Sequence, residues 1–163
     1  MARGPIPKWH KDRLVLIGDA AHPMLTCKFV CLTPPKSTHS SDRENVRRSV
    51  LIDSDANNPT IVQGQGGGQA LEDGAALGIL LDQVRNPEAV EHRLQLFEQV
   101  RRNRGSALQI LSNTNPPAPQ SVRDAAAAYL PSGTRLDSTD DINDYVFSFD
   151  VIGECKAVLA AAG

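Results

Sequence analysis

Cationic charge, disulfide-forming cysteine and long apolar runs are all scarce in this sequence, and each scarcity removes a class of function. Seventeen Lys and Arg stand against nineteen Asp and Glu, a formal net charge of −2, so there is no basic excess to neutralise a nucleic-acid backbone. Arg101, Arg102 and Arg104 cluster, but they read as part of a helix face. No apolar stretch approaches the roughly eighteen residues of a membrane span, and no secretory signal opens the chain. Three cysteines are an odd count without a secreted spacing, which fits a reducing compartment. Asn58 cannot accept a glycan because Pro59 follows it. The expectation is a soluble cytoplasmic protein of one domain and one modest core, with neither nucleic acid nor membrane as a partner. A Gly-x-Gly-x-x-Gly fingerprint after a first strand is missing as well. Residues 1–11 carry no strand-turn-helix signal and the glycines at 64–68 lie far downstream, so the adenosine diphosphate grip of a dinucleotide fold is absent.

What is present begins with the run Arg13-Leu14-Val15-Leu16-Ile17-Gly18-Asp19-Ala20-Ala21-His22-Pro23. A continuous apolar stretch that stops at Gly-Asp predicts a strand over 13–18, buried on both faces because it does not alternate, ending at a polar turn. Gly18 admits close backbone approach, Asp19 offers an acceptor to hydroxyl or amide donors, and Pro23 prevents the strand from continuing. Ligands of open α/β sheets sit at such strand ends.

From residue 26 to 62 the texture changes to Pro34-Pro35, Ser and Thr, a charged patch and a second Pro-containing stretch. Nearly forty residues of weak periodicity inside a small domain predict an insertion, largely disordered, with residues 49–53 its one plausible strand. The run Gly64-Gln65-Gly66-Gly67-Gly68 then leads into a helix over 69–84, in which Gly74 and Gly78 are spaced to admit another element. Asn86-Pro87 starts a second helix, with Val90, Leu94, Phe97, Leu108 and Leu111 on one stripe that Arg101 and Arg104 interrupt, ending near Asn113. Beyond it come a Pro-rich linker, an alanine-rich helix over 122–130, a turn at 131–133 and the stretch 145–151.

The two blocks around Gly18-Asp19-Ala20-Ala21-His22-Pro23 and Gly64-Gln65-Gly66-Gly67-Gly68-Gln69-Ala70-Leu71-Glu72-Asp73-Gly74 together resemble the second FAD-contacting motif of the single-component flavoprotein monooxygenases, the salicylate hydroxylase-like group. The resemblance implies a carboxy-terminal portion of such an enzyme. Its fold class would be α/β, a partial FAD/NAD(P)-binding domain of strand, glycine-rich loop and two helices. Its organisation would be a lead-in and strand (1–25), an insertion (26–62), the glycine loop with two helices (63–114) and a linker with tail (115–163). It further implies FAD as cofactor, NAD(P)H as co-substrate and hydroxylation of an aromatic or related small molecule, with this chain alone inactive. By the same resemblance Gly18, Asp19, Gly64, Gly66, Gly67 and Gly68 contact the cofactor, Asp19 through a ribityl hydroxyl and the glycines near the flavin's pyrimidine edge. In relatives of this pattern the turn reaches the glycines within a few residues, so 26–62 reads either as loop variation or as translated intron.

Other residues admit plainer roles. His22 reads as a turn residue with a satisfied ring. Glu72 and Asp73 diverge by about 100° on a helix, cannot share a proton as a pair, and read as structural. Cys27, Cys31, His39 and His22 match no common zinc spacing. Two alternatives stand beside the flavin reading: a non-catalytic truncated product or interaction fragment, and a metal-dependent hydrolase using Asp19 and His22 with Glu72 or Asp73.

Overall fold

The computed structural model describes residues 4–24, 65–114 and 118–162. The chain enters through a minimal antiparallel hairpin, β1 (His10–Lys11) and β2 (Leu14–Val15), with His10 opposite Val15 and Lys11 opposite Leu14. Asp12 turns it in the left-handed region at φ 52°, a conformation that a short polar side chain tolerates. The predicted buried strand over 13–18 is therefore only two residues long. Among the described residues β1 alone pairs with it, so Leu14 stays 67% and Ile17 44% exposed, while Val15 and Leu16 pack inward. A single turn of 3-10 helix, Gly18–Ala20, follows.

Five helices form the rest of the described chain: α1 (Gln65–Leu80), α2 (Pro87–Leu111), α3 (Gln120–Ala127), α4 (Thr139–Phe147) and α5 (Val151–Ala162). Among the described residues the architecture is mostly helical, with one two-stranded sheet. α1 begins four residues before the predicted start, so Gly66, Gly67 and Gly68 form its first turn instead of a preceding loop. Gly74 and Gly78 are exposed and would meet no described atom within 4 Å if given a Cβ, so among the described residues no element makes the expected close approach there. It occurs at Gly105 of α2, where a Cβ would stand 2.6 Å from Trp9 Cη2. Gly64, the insertion over 26–62, Cys27, Cys31 and His39 lie outside the described residues.

α2 is the spine. Asn86 Oδ1 accepts the Glu88 N–H at 2.9 Å and Pro87 occupies the first turn, a start set by local chemistry. Its lower half packs with α1, α5 and the hairpin around Trp9, Ala76, Leu80, Leu96, Phe97 and Cys155. Its upper half packs with α3 and α4 around Leu108, Leu111, Ala126, Leu136, Ile142 and Val146. Arg101 and Arg104 lie between these two apolar clusters along α2, both buried. A buried guanidinium requires partners, and they come from α1.

Candidate functional site

Asp73 organises the turn that follows the hairpin. Gly18 adopts φ +55°, which a side chain would strain, and its N–H donates to Asp73 Oδ2 at 2.9 Å. The same oxygen accepts from His22 Nε2 at 2.7 Å, and Arg101 Nε donates to Oδ1 at 2.9 Å. Asp73 and His22 are fully buried. Burial by itself raises the Asp73 carboxyl, but His22, the Gly18 N–H and Arg101 outweigh it and hold the group below its ordinary range. An ionised carboxylate only accepts, so His22 Nε2 is the donor in this hydrogen bond. The other ring nitrogen, Nδ1, is buried without a partner among the described residues, so the ring expected to be satisfied is satisfied on one side. It lies against Trp9, ring centres 5.2 Å apart.

A second layer surrounds the first. Arg104 grips Glu72 with Nε and Nη2, each at 2.8 Å, and Arg101 Nη1 also donates to Glu72. Gln69 closes the ring, giving Nε2–H to Glu72 at 3.0 Å and taking Arg101 Nη2–H on Oε1 at 2.7 Å. Burial pulls the Glu72 carboxyl up, yet Arg104 and Arg101 prevail and lower it. Arg104 further donates to the carbonyls of Tyr145 and Val146 at 2.9 and 2.8 Å, and its guanidinium lies 4.2 Å from the centre of the Phe149 ring. Glu72 and Asp73 are each engaged by arginine. One guanidinium, Arg101, bridges both. Local spacing predicted α2's stripe but assigned these arginines no role; the usable signal was two cations three apart on a face that otherwise buries Leu and Phe.

Above this buried layer the turn and the start of α1 meet. Asp19 is exposed, and a Cβ on Gly66 would stand 3.7 Å from Asp19 Oδ1. A Cβ on Gly18 would touch Ala70 Cβ at 3.8 Å, whereas one on Gly67 would meet nothing within 4 Å. Of the six residues expected at the site, the structure therefore brings Gly18, Asp19 and Gly66 into one place, with Gly67 and Gly68 exposed on the adjoining helical turn. N–H groups in that first turn lack intrahelical acceptors and carry the positive end of the helix dipole. An exposed carboxylate beside the backbone N–H groups of a helix start offers one acceptor and several donors to a ligand carrying both hydroxyls and an electron-rich edge.

Comparison with known proteins gives a consistent set of relatives. The chain is 64% identical to the FAD-dependent monooxygenase phomE of Diaporthe leptostromiformis over 98% of its own length and 34% of the relative's. It is 30% identical to the FAD-dependent monooxygenase cfoG of Aspergillus candidus over 91% of its length and 26% of that protein's. It is 28% identical to the hispidin-3-hydroxylase of Neonothopanus nambi over 94% of its length and 26% of that protein's. The chain thus spans between about a quarter and a third of the length of the curated relatives it matches. No protein-family model matches it, and no solved structure matches it.

Proposed function

We propose that this chain, similar along nearly its whole length to about a quarter to a third of the length of each of three proteins named FAD-dependent monooxygenases, supplies the ribityl and pyrimidine side of an FAD site. The complete activity would be NAD(P)H- and oxygen-dependent hydroxylation of an aromatic or related small molecule. The observation that carries this reading is the seating of the Gly18–Asp19 turn against the glycine start of α1, with Gly66 opposite the Asp19 carboxylate. The residues fit the group. Asp19 accepts a hydroxyl hydrogen bond, Gly66 and Gly67 leave the helix backbone bare for a flat ring, and the α1 N–H groups favour negative charge at the ring's edge. When bound, FAD supplies the redox chemistry; the chain's part is to hold and orient it and to tune its charge.

The metal-dependent hydrolase finds no support in the geometry. His22 and Asp73 are engaged with each other, Glu72 and Asp73 are covered by guanidinium groups, and among the described residues no three His, Cys, Asp or Glu are grouped to hold a metal.

The test is to replace the matching third of the Diaporthe relative with this chain and titrate FAD into the apo-protein. A hydrogen bond to a carboxylate contributes about 1.5–3 kcal/mol, so Asp19→Ala should weaken FAD roughly ten- to a hundredfold. A folded Asp19→Ala graft that binds FAD as tightly as the unsubstituted one would defeat the flavin reading.

A further inference from the structure

We infer that the buried Asp73 is a positioning residue for the cofactor site, acting on Asp19 through the backbone that flanks it; this rests on the flavin reading above. A single carboxylate oxygen, Asp73 Oδ2, accepts from Gly18 N–H, one residue before Asp19, and from His22 Nε2, three residues after it. The 3-10 turn is therefore tied at both ends to one atom of α1, the helix whose first turn forms the other wall of the site. Backbone bonds tighten the same loop, Ala21 N–H and His22 N–H both reaching the Gly18 carbonyl at 2.9 Å. With both ends fixed and Gly18 held at φ +55°, the Asp19 side chain projects outward beside Gly66.

Arg101 completes the device from α2. By occupying Asp73 Oδ1 it fixes the carboxylate plane and balances its charge, leaving Oδ2 for the turn. Arg104 and Gln69 in turn hold Glu72 and Arg101 in place. Asp73 itself is fully buried and touches no ligand space, which separates it from Asp19. Its effect on cofactor affinity must pass through the geometry of the turn.

Two measurements test this. In the chain itself, Asp73→Asn should raise hydrogen exchange at the Gly18 amide while the α2 amides keep their protection; should Asp73→Asn unfold the chain by stranding Arg101, the charge-neutral pair Asp73→Asn with Arg101→Gln takes its place. Unchanged Gly18 exchange in a folded variant would overturn the proposal. In the grafted protein, Asp73→Asn should weaken FAD about tenfold, and Asp73→Asn combined with Asp19→Ala should bind no more weakly than Asp19→Ala alone, because the second change removes the group that the first misplaces. Fully additive losses would assign Asp73 to general stability and overturn the proposal. If Asp19→Ala alone left FAD affinity unchanged, the flavin reading would fall first, and the positioning role toward FAD with it, even were Gly18 exchange to rise as expected.

Discussion

Gly105 does more for the site than its lack of a side chain implies. On α2 it lies where Trp9 and His22 press against the helix, and a Cβ there would stand 2.6 Å from Trp9 Cη2 and 3.1 Å from His22 Cδ2. Two effects compete in Gly105→Ala. Removing a helical glycine favours folding by about 1 kcal/mol, whereas forcing a methyl into a filled space costs about 1–3 kcal/mol. The clash wins, because the Trp9 ring is itself buried in a close-packed core and can shift only by displacing its neighbours. Gly105→Ala should therefore lower stability in urea titration by up to about 2 kcal/mol net. The fluorescence of Trp9, the single tryptophan, should shift in the folded state. A variant as stable as the parent, with unchanged emission, would contradict this account of the packing.

Among the elements, α4 shows how a short helix is held by its ends. Ser138 accepts the Asp141 N–H at 3.1 Å while Asp141 accepts the Ser138 N–H at 2.9 Å, a reciprocal cap. At the other end Arg104 takes the Tyr145 and Val146 carbonyls, acceptors that a helix C-terminus otherwise leaves open. Ser138→Ala should cost about 1 kcal/mol, visible as faster hydrogen exchange in α4 with α1 unaffected; equal acceleration in both would mean that the cap stabilises more than its own helix. Nine residues are too few to display a stripe, so periodicity does not expose α4. α2 was legible to within about two residues, since Asn86-Pro87 and the spacing of Leu94, Phe97, Leu108 and Leu111 are local signals. The start of α1 was not: glycine propensity argues for a loop, and contacts distant in sequence, Ala70 against Gly18 and Gln69 with Arg101, favour the helix instead. The Gly18–Asp19 turn and its glycine neighbours are readable as a motif, whereas the pairing of Asp73 and Glu72 with groups 28 to 55 positions away leaves no local trace beyond the two cations on α2's apolar face.

On the scale of the whole molecule, an ionic layer separates two apolar clusters along α2, and its carboxylates make stability depend on acid. Glu72 and Asp73 are held below their ordinary range against the upward pull of burial, by Arg104 and Arg101 for the first and by His22, Gly18 and Arg101 for the second. Glu98 is likewise lowered, its burial outweighed by the His10 ring and the Trp9 and His10 N–H groups, which it accepts while tying the hairpin to α2. In the unfolded chain these carboxyls return to values near about 4. A carboxyl whose folded value is depressed contributes stability that is complete above its unfolded value and is lost as pH falls through the folded one. The denaturation midpoint should therefore hold its value just above pH 5 and fall increasingly below about pH 4. Glu72→Gln removes one group whose proton uptake accompanies unfolding, so its midpoint should fall less steeply with acid even though it starts lower, with Arg104 left short of a partner. A slope identical to the parent's between about pH 4 and pH 2 would show that Glu72 is not linked to folding, and that the acid dependence comes from other lowered carboxyls, Asp73 and Glu98 among them.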